Sequence, residues 1–203
     1  LYPNTDTTTY PWPAWTNNTN TDRNVLLEDY TGHTCVNCPS AATIAKNIED
    51  ASNGKVIVVS VHASTHGGNQ APELPDLPLD HRTIAGDEYA NAMNIAANPL
   101  GTVNRKFDGS KYWISPPNWQ SEVDDELSKS PDFNLQAQYN YFPSTNGLFL
   151  HTEVEVLNNL TGNFHLINFL IRDTVIAPQK DQAGVHHHHY DHHNMLSANI
   201  NGA

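Results

Sequence analysis

Two cysteines occur in the 203 residues, and they stand three positions apart as Cys35-Val36-Asn37-Cys38. Their flanks restrict what the chain can build around them. Val25-Leu26-Leu27-Glu28-Asp29-Tyr30 is a short, mostly apolar run ending at Thr31-Gly32, the pattern of a buried strand and its turn. From Ser40 to Ala51, the residues Ala41, Ile44, Ala45 and Ile48 recur at helical spacing. The pair therefore sits at a strand-to-helix turn. There, free N–H groups and the helix dipole stabilise a thiolate and lower its pKa. Pro39 falls in the first helical turn, where a missing N–H costs little. Half a zinc site and a fixed structural disulfide are the other readings of such a pair. Zinc needs four ligands, and no second CxxC or HxxxH is well placed.

Asn53-Gly54 stops the helix, and Lys55 to His62 is a near-continuous β-branched run suited to a central parallel strand covered on both faces. Strand, helix and strand form a βαβ unit with a right-handed crossover. Ala63 to Leu79 is a loop punctuated by Pro72, Pro75 and Pro78. His81 to Ala97 is helix-like, with Ile84, Tyr89, Met93 and Ile95 as core candidates. Asn98-Pro99 turns into a strand through Arg105. Pro116-Pro117 then precedes a helix from Asn118 to about Lys129, with Trp119, Val123 and Leu127 on one face.

From Phe133 the period changes to two. Phe133, Leu135, Ala137, Tyr139 and Tyr141 alternate with polar residues, as do Leu148 and Leu150, Val154 and Val156, and Phe164, Leu166 and Leu170. Turn signals at 144–147 and 158–162 separate them. This predicts a second, all-β domain with an immunoglobulin-like sandwich over 131–203, lacking strands at its C-terminal end.

Ten Lys and Arg against 22 Asp and Glu give a net charge of −12, which disfavours binding to nucleic acid or an anionic membrane through a basic patch. No run of eighteen apolar residues is present. The chain opens at Leu1 rather than Met, as a processed or partial chain does. Residues 1–23 read as an extended N-terminal segment, packed through Trp12 and Trp15 as a strap or serving as a tether. Asn17-Asn18-Thr19 and Asn159-Leu160-Thr161 are sequons, meaningful in a host that glycosylates them.

The segment Asp29 to Cys38 resembles the active-site segment of thioredoxins. In that family an acidic residue lies six positions before the first cysteine, where Asp29 stands. The resemblance implies that 24–130 is an α/β thioredoxin-like domain. It implies Cys35 as attacking thiolate, Cys38 as resolving thiol in a Cys35–Cys38 disulfide, and a buried carboxylate relaying a proton to Cys38. Glu28 competes with Asp29 for that part, since strand alternation points one of the two inward. A cis-proline facing the disulfide is also implied, and Pro99 is similar in placement. Thr34 stands where the family has Trp, and Val36-Asn37 where it has Gly-Pro, which leaves potential and partner choice open.

A resemblance covering nearly the whole chain is to the outer membrane protein twenty-eight family of Bacteroidetes. It is carried by Val25 to Pro39, by Pro99 to Arg105 and by Tyr190-Asp191-His192-His193-Asn194-Met195-Leu196. It implies an exported lipoprotein at the outer membrane, anchored by a lipidated cysteine upstream of Leu1. Two roles follow: a subunit or accessory of an outer-membrane protein complex, or a thiol–disulfide oxidoreductase acting on exported protein thiols. No cofactor is expected beyond the redox-capable disulfide.

His186, His187, His188, His189, His192 and His193 are half of the twelve histidines. They read either as a surface site for a divalent metal or as a solvated loop with adventitious metal affinity. His62, His66 and His81 flank the Pro-rich loop and read as loop or core residues.

Overall fold

The computed structural model describes residues 16, 22–64 and 75–201. Trp12, Trp15, the first sequon, His66 and Pro72 lie outside the described residues. The described chain divides into two units, one formed by 23–129 with 164 onward, the other holding 130–163.

In the first unit, β1 (Val25–Thr31) and β2 (Val56–His62) run parallel, joined by α1 (Cys38–Ala51). After α2 (Ile84–Ala92), β3 (Leu100–Val103) pairs antiparallel to the outer side of β1. A lone bridge between Gly101 and Ile114 continues that edge, and a Pro116–Asn118 turn leads into α3 (Trp119–Leu127). The β-branched run of β2 is explained by its position. Val56 and Val58 pack with Val25, Leu27, Ala41, Ala45, Ile48, Trp119 and Val123 under α1 and α3. Val59 and Val61 pack on the opposite face with Tyr30, Ala85, Tyr89, Ala90 and Ile95. Each fully buried large apolar side chain contributes about 1.5–3 kcal/mol, so both faces of the sheet are held.

Two contacts fix the helices closely. A Cβ on Gly101 would lie 2.6–2.8 Å from the Trp119 ring, and that ring donates its indole N–H to the Ile114 carbonyl at 3.2 Å. A Cβ on Gly86 would meet the His62 carbonyl at 2.6 Å, which lets α2 sit against the end of β2. The helix expected over 81–97 is shorter because Thr83 caps it, accepting from the Gly86 amide at 3.0 Å. Ile84, expected in the core, is exposed at its first turn, while Tyr89 and Ile95 are buried.

The C-terminal strands depart from expectation. The sandwich predicted over 131–203 does not form as one body: β6 (Phe169–Lys180) and β7 (His186–Asn199) join the α/β sheet in the order β3-β1-β2-β7-β6. β7 runs parallel to β2, meeting it where Ser60 faces Met195, and β6 pairs antiparallel with β7. Met195 and Leu196 are buried there. A period of two identifies a strand but not the sheet it completes. That sheet is a mixed α/β one, and the histidine run is a strand of it rather than a loop.

The second unit is a hairpin of β4 (Phe133–Phe142) and β5 (Gly147–Val156), in continuous register from Phe133–Val156 to Phe142–Gly147. Asn146, at a φ of 51°, turns the chain, and its side chain accepts from the Tyr141 hydroxyl at 3.0 Å.

Candidate functional site

Cys35 and Cys38 form a disulfide with their Cα atoms 5.4 Å apart. β1 ends in a turn in which the Cys35 amide donates to Gly32 and the Cys38 amide to Cys35, and Cys38 opens α1 with Pro39 behind it. Both cysteines are buried, at 3% and 1% exposure. The tip of the β6–β7 pair lies against this turn. Gln179, itself buried, donates its side-chain amide to the Gly32 and Cys35 carbonyls at 3.2 Å each. The Lys180 amide donates to the His33 carbonyl at 2.8 Å, and Gln182 donates to the Asn37 side chain at 2.9 Å. Nothing in the sequence marks Gln179, since it acts across 144 residues.

Strand alternation separates the two acidic neighbours of the site. Glu28 faces Arg105, which donates to it at 2.6 and 2.8 Å, and Thr102 donates at 2.8 Å. The guanidinium also stacks 4.1 Å from the Tyr89 ring centre. Asp29 points the other way, into a cavity of about 40 Å³ that it shares with Cys38, His62, Gln179, Tyr190 and His192. A buried water needs about 10–15 Å³ of such space, so a few waters fit. Neither carboxylate oxygen has a hydrogen-bond partner in the protein. Burial raises the Asp29 carboxyl to about 7, because a charge out of water and without a partner is costly. Asp29, not Glu28, thus faces the cavity that Cys38 lines. The Asn98–Pro99 bond is cis, and the Asn98 amide donates to the Thr31 carbonyl at 3.4 Å, tying that loop to the end of β1.

The six histidines at 186–193 do not converge. Successive side chains of a strand point to opposite sides. His187, His188, His189 and His193 are exposed. His186 meets Asp76 at 3.1 Å and His187 meets Asp181 at 2.7 Å, while His192 is buried. Inside the unit, His192 joins His33, His62 and His81, all 1–6% exposed. Burial lowers His81 and His192 to about 4, and lowers His62 well below its ordinary value. Among the described residues, the metal-ligating atoms that already lie within 4.8 Å of one another belong to Glu122, Asp125 and Glu126. Lys106 and Lys129 already neutralise that trio.

Fold and site together define a class: a mixed α/β protein of thioredoxin-like arrangement, with a buried CxxC disulfide at the start of its first helix. The chain is similar to a solved structure described as HBP35 of Porphyromonas gingivalis, at 16% identity and a TM-score of 0.65, over 89% of this chain. It spans little more than half of that protein, 57%, and at this identity the likeness shows a shared fold. A protein of Agrobacterium tumefaciens aligns over 89% of this chain and 72% of its own, at 11% identity and a TM-score of 0.48. No protein-family model and no curated protein matches the chain.

Proposed function

We propose that this chain is an exported lipoprotein of the outer membrane or cell surface that serves as a subunit or accessory of a protein complex there, its disulfide bracing the fold. The address and the lipid anchor rest on the family resemblance. The partner-binding role rests on one observation: the apolar row of the β4–β5 hairpin. Leu135, Tyr139, Tyr141, Leu148, Val154 and Val156 are 42–71% exposed. Their cross-strand pairing places them on one face. A contiguous exposed apolar face on a polar chain is the mark of an interaction surface.

A thiol–disulfide oxidoreductase is the second reading, favoured by Asp29 sharing a cavity with Cys38. Exchange requires a partner's sulfur to reach Cys35, and the burial of Cys35 counts against it. Crosslinking of the full-length protein in its native membrane separates the two. Under our reading, C35S/C38S keeps its crosslinked partner and L135E/Y139E loses it. Loss of the partner in C35S/C38S, together with rapid exchange between reduced protein and glutathione disulfide, would establish the oxidoreductase instead.

A further inference from the structure

His62 ends β2, His81 precedes the cap of α2, and His192 lies on β7. Three elements distant in sequence thus deliver three imidazoles to one buried place. Their ring centres form a closed triangle with sides of 5.3, 5.4 and 5.9 Å. The Nε2 atom of each is buried and has no hydrogen-bond partner. Three buried polar atoms without a hydrogen-bond partner are costly, roughly 1–3 kcal/mol each, and neighbouring histidines do not relieve one another here.

A metal ion would satisfy all three. With about 2.0–2.1 Å from zinc to each nitrogen, the ring centres stand roughly 3.2 Å from the ion and, at tetrahedral angles, about 5.2 Å from one another. The observed triangle is within a few tenths of an ångström of that spacing on two sides and somewhat wider on the third. The nitrogens have still to converge. This takes rotation about the terminal side-chain torsion, which is soft in histidine.

We infer that His62, His81 and His192 form a binding site for a divalent transition metal of the zinc class, with a fourth position left for water or for His33. His33 is the next ring, 5.3 Å from His81. Imidazole nitrogen suits zinc, nickel and copper. Burial keeps His62, His81 and His192 uncharged at neutral pH, as ligands must be. The site differs from the surface histidine run and makes no use of the disulfide.

Zinc titration of a surface-stripped protein, H151A/H165A/H186A/H187A/H188A/H189A/H193A, tests it with the exposed histidines of the described residues removed. One zinc per chain should bind saturably at micromolar concentration or tighter and raise the thermal unfolding midpoint. Cobalt in its place should show the visible bands of a four-coordinate ion. Adding H81Q or H192Q should weaken zinc binding at least about tenfold, since even a supporting contact to a ligand is worth 10–100-fold. Absence of saturable binding in the surface-stripped protein, with no shift of its unfolding midpoint, overturns the site. So does binding that neither H81Q nor H192Q weakens. The unfolding midpoint of each variant without metal shows whether it has folded.

Discussion

The side-chain amide of Gln179 donates to the carbonyl oxygen of Cys35 at 3.2 Å, and to those of Gly32 and Lys180 at 3.2 and 2.9 Å. A residue of β6 thereby holds the turn that carries the disulfide. Q179A leaves buried carbonyls of that turn without a donor, at a cost of roughly 1–3 kcal/mol. Denaturant unfolding should show a loss of that size, and dithiothreitol should reduce the Cys35–Cys38 bond faster in the variant. Unchanged stability and reduction rate would mean that the turn holds its own shape.

Glu28 and Arg105 make the test case for buried charge. The carboxylate is fully buried and receives two hydrogen bonds from the guanidinium and one from Thr102. R105M removes the partner and strands the charge, at roughly 3–5 kcal/mol. E28Q/R105M removes the stranded charge and should recover part of that loss. A double-mutant cycle by urea unfolding measures the coupling. Equal losses for R105M and E28Q/R105M would show that the stack of Arg105 on Tyr89, and not the ion pair, holds this face.

How far the fold is legible in the sequence depends on the range of the interactions that decide it. The strand before Cys35, the helix after it and the run from Val56 to His62 follow from local periodicity and turn residues, and the structure has them within two residues. The fate of β6 and β7 turns on whether Met195 finds Ser60, a pairing that no window along the chain contains. The histidine run was visible as composition, but which member turns inward depends on strand register. His192 therefore could not be told from His193, nor could its meeting with His62 and His81 be foreseen. Choosing between Glu28 and Asp29 needed Arg105, in the turn just after β3.

Gly101 is open to direct test because its missing side chain is occupied by another residue. A Cβ there would lie 2.6–2.8 Å from atoms of the Trp119 ring, and Trp119 is wholly buried. Rigid ring and strand cannot both stay in place, so G101A should cost about 1–3 kcal/mol of overpacking. Thermal unfolding followed by near-ultraviolet circular dichroism reads both the stability and the Trp119 environment. A variant as stable as the parent, with an unchanged aromatic signal, would refute the tight contact.

Asp29 predicts a pH dependence of definite sign. Its folded-state pKa is raised to about 7, whereas an unfolded aspartate titrates near 3.9. Between those values the native state holds a proton that the unfolded state has released, so this group makes stability fall as pH rises from about 4 to 7. The full effect, about 3 pKa units at 1.36 kcal/mol each, is on the order of 4 kcal/mol. His62, His81 and His192 act in the opposite direction. Their folded-state values are lowered, so the unfolded state binds the protons and stability rises with pH up to about 6.5. The wild-type profile alone therefore mixes two slopes. Subtracting it from the profile of D29N isolates the carboxyl: D29N should gain on the wild type steadily from pH 4 to 7 and keep its advantage above that. The comparison needs chemical unfolding of the oxidised protein at each pH. A difference that stays flat across this window would mean that Asp29 is ionised in the cavity throughout, with water there supplying the solvation that the protein does not.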